Sequence, residues 1–320
     1  IALTAVQDRI TLFSNVVVFS TYATYVVMSF MMLVMIFMML PAAQVSAERI
    51  NEVLERDVNI KEGSVSEGRE QGTVEFKNVS FRYPHASEDE LSNISFKIEK
   101  GQTLAIIGAT GSGKTTLISL IPRFYDVRQG EVLVDGVDVK EYPFSQLRGM
   151  IGIVPQKAVL FKGTIRHNMQ WRDKNATDED IWNALDIAQA KDFVEKKPDK
   201  LDEMILQEGK NLSGGQRQRL TIARALVGDP EILILDDSAS ALDLATDARL
   251  RKAIHEKTSG MTVFIVSQRI SSIKSADKII VLDDGKIAGI GTHSELYNGC
   301  EVYKEICLSQ LSEKEAQANG

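Results

Sequence analysis

The sequence predicts an α/β domain built on a largely parallel sheet, preceded by an all-helical segment long enough to cross a membrane. Three observations predict this arrangement. No charged residue occurs from Ile10 to Ala47, although 25% of the whole chain is charged. Short apolar runs of the length of buried strands recur after residue 73. One of these runs passes directly into a glycine-rich turn and then an apolar helical run, within residues 103–121.

The composition bounds the class of protein. The 320 residues suffice for one large domain with additional segments, or for two small domains. A formal net charge of -7 argues against a nucleic-acid partner, because a surface that follows phosphates carries a basic excess. Cys300 and Cys307 are expected to be reduced thiols of a cytosolic domain. If both lay on one helix, they would be two turns apart and too distant for a disulfide.

The uncharged segment exceeds the ~20 residues that a helix needs to cross a bilayer. Its Met-rich face is either a surface that adapts to ligands or ordinary lipid-facing and helix-packing surface. Pro41 marks the exit from the membrane, and charged residues then return with helical spacing. We expect residues 1–58 to be the end of a membrane domain and residues 59–72 to be a polar, glycine-containing linker. Because the chain starts with isoleucine and shows no signal peptide, we expect a fragment or a trimmed chain.

The remainder is predicted to be one α/β domain over residues 73–311, followed by a frayed tail at 312–320. Strands are predicted at residues 74–83, 103–108, 231–237, 262–267 and 278–291, the last with a hairpin turn at Asp284 and Gly285. A helical stretch is predicted over residues 178–227. Thr177 would cap it, with Asp180 at the third helical position.

GATGSGKT, residues 108–115, matches the phosphate-binding pattern G-x-x-x-x-G-K-[ST] in its required context after a strand and before a helix. Glycines allow the backbone N–H groups to surround phosphate oxygens, and the helix N-terminus adds positive potential. Lys114 is expected to reach the β- and γ-phosphates, and Thr115 to offer its hydroxyl to Mg²⁺. The predicted nucleotide contacts here are Gly108, Thr110, Gly111, Ser112, Gly113, Lys114, Thr115 and Thr116.

Two carboxylates end the apolar run ILILDD, residues 232–237. At the carboxyl edge of a parallel sheet, beside a phosphate loop, Asp236 can hold the Mg²⁺ shell. Asp237 would then face the terminal phosphate. Taken alone, the pair could equally be two solvated aspartates at the end of a strand.

A second anion site is predicted where LSGGQRQR, residues 212–219, begins a helix with Ser213, Gly214 and Gly215 at its N-terminus. This motif resembles the signature sequence of the ATP-binding cassette (ABC) family. The resemblance implies that this site, including Gln216, binds the γ-phosphate of an ATP held by the other cassette of a head-to-tail dimer.

Further elements of that family follow in order. Tyr83, in FRYP, resembles the aromatic that stacks on adenine, although it could be a core aromatic of a strand. Gln156, in IVPQ, matches the glutamine that touches Mg²⁺ and the attacking water and moves with the membrane domain. Asp243 ends SALD, which matches the loop that crosses the dimer interface. QEGKNLSGGQ only loosely matches the segment that senses the coupling helices.

The resemblance covers residues 74–311. It implies an ABC nucleotide-binding domain: a P-loop NTPase core with an antiparallel β subdomain and an α-helical subdomain. ATP and Mg²⁺ are its expected ligands. The preceding segment looks like the last membrane helix of an ABC exporter half-transporter of the bacterial multidrug type. A complete half should have six spans, whereas there is room here for one long helix and part of another.

The resemblance also implies a cellular location and a set of partners. The protein would be a multi-pass protein of the cell membrane with its nucleotide-binding domain in the cytoplasm. Its partners would be a second, homologous half-transporter, membrane lipid, and an exported small molecule, lipid or peptide.

Two catalytic positions depart from the family pattern. Asp237 stands where hydrolysing cassettes usually have glutamate, and Gln268 where they have histidine. Aspartate is shorter by one methylene, and glutamine cannot carry a proton. These two changes predict a site that binds ATP but hydrolyses it poorly, in one subunit of a heterodimer. The residues predicted for catalysis are Asp237, Gln268 and the matching Gln156. The alternatives are a slow homodimer that uses Asp237, and a soluble or regulatory ABC ATPase with no transport role.

Overall fold

The structure is a computed structural model that describes residues 2–56, 60–65, 68, 70–238, 241–258 and 260–318. Within these ranges, side chains are described except at residues 2–5, 244 and 311–318. The chain divides into two units, residues 1–59 and residues 60–320.

The first unit is one helix, α1 (Ala2–Leu54), of 53 residues. It continues through Pro41, which has no N–H and therefore cannot donate a helical hydrogen bond to the carbonyl of Phe37. Its apolar side chains are exposed all around the helix. Residues 6–54 form the one candidate membrane span among the described residues, with a mean hydropathy of 2.4 in its most apolar window. The helical spacing of the charged residues after Pro41 is confirmed, because α1 continues beyond the apolar segment to Leu54.

The second unit contains twelve strands and ten α-helices among its described residues, besides three short 3-10 helices. The strands are β1 (Val74–Phe81), β2 (Leu91–Ile98), β3 (Thr103–Gly108), β4 (Gln129–Val134), β5 (Val137–Asp138), β6 (Ile151–Val154), β7 (Gly163–Thr164), β8 (Met204–Ile205), β9 (Ile232–Asp236), β10 (Thr262–Val266), β11 (Lys278–Asp283) and β12 (Lys286–Gly291). The helices are α2 (Lys114–Ser119), α3 (Phe144–Met150), α4 (Ile165–Met169), α5 (Asp178–Ile187), α6 (Lys191–Glu195), α7 (Gly214–Leu226), α8 (Leu244–Lys257), α9 (Ile270–Ile273), α10 (His293–Gly299) and α11 (Glu301–Ala318).

The central sheet has six strands in the order β12-β11-β3-β10-β9-β6. All neighbouring pairs are parallel except β11 with β12. Val266 of β10 pairs with Asp236 of β9 on one side and with Ile106 of β3 on the other. The carboxyl ends of β3, β10 and β9 therefore lie side by side, which is the edge where ligands of open α/β sheets bind.

Apolar residues cover both faces of this sheet, as the continuous apolar runs of its central strands require. On one face, Ile106, Ile234 and Phe264 pack with the antiparallel sheet β2-β1-β4-β5. On the other face, Leu235 and Ile265 pack in a second core cluster with residues of the helices. The expected antiparallel β subdomain and helical region are therefore both present.

The predicted helical stretch over residues 178–227 is wrong as a continuous element. It contains α5, α6, the short strand β8 and α7, with positive backbone φ angles at Gln189, Lys200 and Glu208 between them. The capping box at its start is confirmed: the Thr177 N–H donates to Asp180 Oδ2 at 2.8 Å, and the Asp180 N–H donates to Thr177 Oγ1 at 3.3 Å.

Other strand predictions agree with the structure to within two residues. The hairpin between β11 and β12 turns at Asp284 and Gly285, whose φ angles of 45° and 70° are those of a type I′ turn. α11 extends to Ala318, across the predicted domain boundary at residue 311. Residues 319 and 320 lie outside the described residues.

Both cysteines are free and buried. Cys300 follows the end of α10, whereas Cys307 lies on α11, so the two do not share one helix. Burial raises the pKa of the Cys307 thiol, and a hydrogen bond with Tyr303 partly opposes that shift.

The segment predicted as a linker is hydrogen-bonded to the domain where it is described. The Gly63 N–H donates to the Tyr142 carbonyl at 3.2 Å, and the Gly72 N–H donates to Asp135 Oδ1 at 2.6 Å. Asp135 is 3% exposed. Burial, with the nearby Glu231 carboxylate, raises the pKa of Asp135 to about 6. This segment is therefore attached to the domain by a carboxyl that titrates below neutral pH.

We expect Asp135→Asn to stabilise the protein at neutral pH by about 2–3 kcal/mol and to have little effect at pH 4. The folded pKa of Asp135 lies above the unfolded value, so the folded state retains this proton longer. The wild type therefore loses stability as pH rises from about 4 to 6, and asparagine removes that loss while still accepting from Gly72. Urea unfolding of both proteins between pH 4 and 8, followed by tryptophan fluorescence, measures the difference.

The exposed Asp199 provides the control, because Asp199→Asn also removes one negative charge. The difference in free energy of unfolding between Asp199→Asn and wild type should be the same at pH 4 and at pH 6. A stability difference for Asp135→Asn that is constant with pH would contradict the assignment of this titration to Asp135.

Candidate functional site

A cleft of about 250 Å³ opens at the carboxyl ends of β3, β9 and β10. It is lined by Glu90, Thr110, Gly111, Gly113, Lys114, Thr115, Thr116, Gln156, Asp236, Asp237, Val266 and Gln268. The sheet order explains this, because segments that are far apart in sequence end at one edge. Most residues predicted for the phosphates, the metal ion and catalysis are thus brought into one cleft.

The glycine-rich loop between β3 and α2 has the conformation that its sequence requires. Gly111 and Gly113 have φ angles of 84° and 91°, which glycine adopts without steric cost. A Cβ on Gly113 would lie 2.7 Å from the Leu91 side chain. A Cβ on Gly108 would lie 2.1 Å from the carbonyl oxygen of Leu282 and 2.6 Å from Ser112 Oγ. The loop can lie this close to β2 and β11 only because both positions are glycine.

Lys114 lies at the base of the loop. Its Nζ donates to the carbonyl oxygens of Gly108 at 3.0 Å and Ala109 at 2.5 Å, and to Ser112 Oγ at 3.3 Å. Burial lowers the pKa of Lys114, and the nearby charge of Asp236 opposes that shift. The loop therefore holds a largely buried ammonium group beside the cleft, where it can be transferred from loop carbonyls to an anion.

Thr115 and Asp236 are in direct contact. The Thr115 hydroxyl donates to the two carboxylate oxygens of Asp236 at 3.1 and 3.3 Å. Burial raises the pKa of Asp236, while the hydrogen bond from Thr115 lowers it. A hydroxyl and a carboxylate this close, with the Gln156 amide in the same cleft, are the oxygen ligands that Mg²⁺ prefers. The residues predicted for the metal ion therefore fit it.

Asp237 follows the last residue of β9. Its φ angle is 44°, and its N–H donates to the Val266 carbonyl at 2.9 Å, which fixes its backbone to β10. Its Oδ2 accepts from Gln156 Nε2 at 3.1 Å. Gln268 lines the same cleft. The three residues predicted for catalysis thus lie around one space.

Tyr83 follows β1, two residues beyond its end. Its hydroxyl is hydrogen-bonded to Thr116 Oγ1 at 2.9 Å, next to the phosphate loop. Its ring meets those of Phe81 and Tyr125 edge to face, with centroids 4.9 and 5.2 Å apart. Tyr83 is partly buried, so its position combines packing against the core with a link to the phosphate loop.

The signature residues lie apart from this cleft. Ser213 caps α7: its Oγ accepts from the Gln216 N–H at 3.2 Å, and Gln216 Oε1 accepts from the Ser213 N–H at 3.0 Å. Gly214 is exposed and Gly215 partly so. Asp243 caps α8 by accepting from the Thr246 N–H at 2.9 Å. Of the described residues that line the cleft, none comes from the signature or is Asp243.

Sequence reasoning missed several residues here. Glu90 and Val266 line the cleft, and Tyr125 packs on Tyr83. Val266 could have been found, because it ends the strand that leads to Gln268. Glu90 precedes β2, a strand that the sequence analysis did not predict.

The sequence profile of the ABC transporter family matches residues 91–240, which include the phosphate loop, the signature and both aspartates. The chain carries an ABC transporter ATP-binding domain. Its mixed α/β sheets are those of the nucleotide-binding domain of this family, which binds ATP, typically with Mg²⁺.

Relatives of this ABC domain include membrane exporters. The chain is 42% identical over 304 residues to an uncharacterized ABC transporter ATP-binding protein, YfiB, of Bacillus subtilis, covering 95% of this chain and 53% of the relative. It is 42% identical over 261 residues to a probable multidrug resistance ABC transporter ATP-binding/permease protein, YheI, of the same species, covering 81% and 45%. It is 41% identical over 276 residues to an ATP-dependent lipid A-core flippase of Hahella chejuensis, covering 86% and 46%.

A similar solved structure is that of a bacterial Atm1-family ABC exporter with ATP bound. It has 32% identity and a TM-score of 0.79, covering 87% of this chain and 49% of that protein. The chain spans about half the length of these relatives.

Proposed function

We propose that this chain is the ATP-binding part of one subunit of a heterodimeric bacterial ABC exporter, whose own site binds MgATP and hydrolyses it poorly. One observation carries the proposal. Asp237 and Gln268 line the same cleft as Lys114 and Asp236, so both departures from the family pattern face the phosphate site.

The intact part of the cleft supports ATP binding. The loop N–H groups and Lys114 would hold the phosphates, and Tyr83 would hold the adenine. Thr115, Asp236 and Gln156 would hold Mg²⁺, which when bound neutralises phosphate charge and orients the terminal phosphate. Each of these residues is in the cleft or hydrogen-bonded to a residue of its lining.

Poor hydrolysis follows from the side chains around the terminal phosphate. Asp237 already contacts Gln156, but its carboxylate is one methylene short of the position that a glutamate reaches. A displacement of about 1 Å can reduce a rate by about 10²-fold. Gln268 donates and accepts hydrogen bonds but cannot take a proton. The cleft therefore has the residues needed to bind a nucleotide but lacks the groups that best activate the attacking water.

The signature supports a partner subunit. Ser213, Gly214 and Gly215 are at least partly accessible at the N-terminus of α7, a helix of 13 residues, and lie outside the chain's own cleft. In the proposed dimer this helix end completes the partner's ATP site, while the partner's signature completes this one. Two bound ATP molecules then close the cassettes, and hydrolysis at the partner's site reopens them.

The membrane part of the proposal rests on two surfaces. α1 carries no charged residue from position 10 to position 47, and this stretch is long enough to cross a bilayer. On the domain, Phe161 and Trp171 stack at 4.2 Å while 41% and 55% exposed, beside a cleft of about 620 Å³. An exposed aromatic pair of this kind suits docking of the cytoplasmic ends of a membrane domain.

The proposed protein is a multi-pass protein of the cell membrane, in contact with lipid, with this domain in the cytoplasm. The names of two relatives, a multidrug resistance transporter and a lipid A-core flippase, favour export of a small molecule or a lipid. A peptide remains the third class of substrate that the exporter architecture allows. The acidic net charge argues against a nucleic-acid partner.

We expect a tagged copy of the full polypeptide, extracted from its own membranes in mild detergent, to co-purify with a different half-transporter, identified by mass spectrometry. That partner should carry glutamate at the position equivalent to Asp237 and histidine at the position equivalent to Gln268. Recovery of the chain as a dimer with itself, with ATP turnover abolished by Asp237→Ala, would replace the proposal with the slow homodimer. Absence of the chain from washed membranes would favour an ATPase without a transport role.

A further inference from the structure

Gln310 of α11 is hydrogen-bonded to the backbone on both sides of Arg269, next to the cleft residue Gln268. Gln310 Nε2 donates to the Gln268 carbonyl at 2.5 Å, and Gln310 Oε1 accepts from the Ile270 N–H at 2.9 Å. Because a carbonyl only accepts and an N–H only donates, these partners dictate the orientation of the amide. One side chain thus satisfies two backbone groups of the segment that carries Gln268.

This segment lies beyond the sheet, so strand pairing does not determine its path. β10 ends at Val266, and α9 begins at Ile270. The side chain of Arg251, on α8, donates to the carbonyls of Ser271 and Ser272 at 3.2 Å. A side chain of α11 therefore holds the backbone around Gln268. A side chain of α8 holds α9, into which this segment leads.

α11 is itself anchored in the core. Tyr303 and Cys307 are buried, 0% and 4% exposed, and lie on the same helix face as Gln310 because their spacings are four and three residues. The Tyr303 hydroxyl is hydrogen-bonded to His293 Nδ1 at 2.8 Å. The helix thus presents Gln310 from a fixed position.

We propose that Gln310 is a positioning residue that sets the Gln268 side chain against the γ-phosphate of bound ATP, so that the C-terminal helix controls how this site distinguishes ATP from ADP. The inference rests on the proposed binding of ATP in the cleft. The Ser267 N–H donates to the Ile106 carbonyl at 3.3 Å. The backbone is therefore held before Gln268 by β3 and after it by Gln310. Holding both sides limits rotation of the Gln268 backbone, and therefore the direction in which its side chain enters the cleft. ADP lacks the γ-phosphate, so its affinity does not depend on this arrangement.

The test compares Gln310→Met with Glu305→Met, which removes an exposed side chain from the same helix. Dissociation constants for MgATP and MgADP are measured on the full polypeptide in detergent. We expect Gln310→Met to weaken MgATP binding about 5- to 20-fold, the range for loss of one or two hydrogen bonds, and to change MgADP binding less than about 2-fold. Glu305→Met should change neither.

A second variant separates positioning from packing. At neutral pH, Gln310→Glu places a carboxylate against the Gln268 carbonyl, so MgATP affinity should fall. Protonation as the pH falls to about 4, below the ordinary glutamate pKa of about 4.3, restores one donor and one acceptor. The affinity of Gln310→Glu should then recover relative to wild type at the same pH, whereas that of Gln310→Met should not. If Gln310→Met does not fold, this recovery alone decides the matter.

Coupling to Gln268 provides the last criterion. In a Gln268→Ala background, Gln310→Met should produce no further loss of MgATP affinity, because the contact that it positions is already gone. Equal losses for ATP and ADP, an undiminished loss in that background, or no recovery of Gln310→Glu at low pH would overturn the proposal. A wild type that binds neither nucleotide would instead refute the proposed function.

Discussion

Replacing Asp237 by glutamate and Gln268 by histidine together is expected to raise ATP hydrolysis at this cleft by about 10²-fold or more. The backbone of Asp237 is fixed by its hydrogen bond to Val266, so the added methylene moves the carboxylate by about 1.5 Å further into the cleft. Histidine supplies a group that can take and return a proton, which glutamine cannot. Nucleotide trapping at this site measures the gain. In the proposed heterodimer, ATP turnover with the expected catalytic glutamate of the partner removed measures it independently.

The single substitutions are necessary controls, because catalytic groups that act together are strongly non-additive. Each alone should give a smaller gain than the pair. Adding Lys114→Met to the double variant should remove the gain, which assigns the new activity to this cleft. No increase in trapping for the double variant would show that Asp237 and Gln268 are not what limits hydrolysis here.

Lys114→Met is expected to weaken MgATP binding to this chain by about 10²-fold, equivalent to about 3 kcal/mol. Lys114 is the cation that the loop keeps beside the cleft, with three oxygen acceptors around its Nζ. Its burial means that solvent screens its attraction for phosphate only weakly. Equilibrium binding of a fluorescent ATP analogue measures the loss.

Lys174→Met is the matched control, since it removes an exposed lysine outside the residues that line the cleft. It should leave nucleotide affinity within about 2-fold. The thermal midpoint of Lys114→Met should also stay near that of the wild type, which excludes unfolding as the cause. Unchanged ATP affinity in Lys114→Met would mean that the nucleotide binds elsewhere.

The parts of the fold that could be predicted are those with local signals. β3, β9 and β10 are short apolar runs buried on both faces, and each was found in the sequence. β2 alternates buried and exposed residues in LSNISFKI, and β4 is buried only over its last three residues, so neither gave a continuous apolar run. The stretch after residue 178 is predicted as helix throughout, although Pro198 and Gly209 are local signals that interrupt it.

The candidate site divides in the same way. The phosphate loop, the two aspartates and the signature are contiguous motifs, so their residues could be named from the sequence. The contact between Gln156 and Asp237 joins residues 81 positions apart and needs the sheet order to bring them together. Gln310 lies 42 positions from Gln268 on a helix with no recognisable motif, so the contact is seen only in the structure.

The two buried thiols affect how this protein can be labelled. A cysteine alkylates through its thiolate, and burial both hides Cys300 and Cys307 from reagents and keeps the Cys307 thiol protonated. A maleimide spin label or fluorophore should therefore react far faster with a cysteine introduced at an exposed position than with either natural one. These 320 residues thus provide a nearly silent background for labelling. The distance between the cassettes of the proposed dimer can then be measured with and without ATP, without first replacing Cys300 and Cys307.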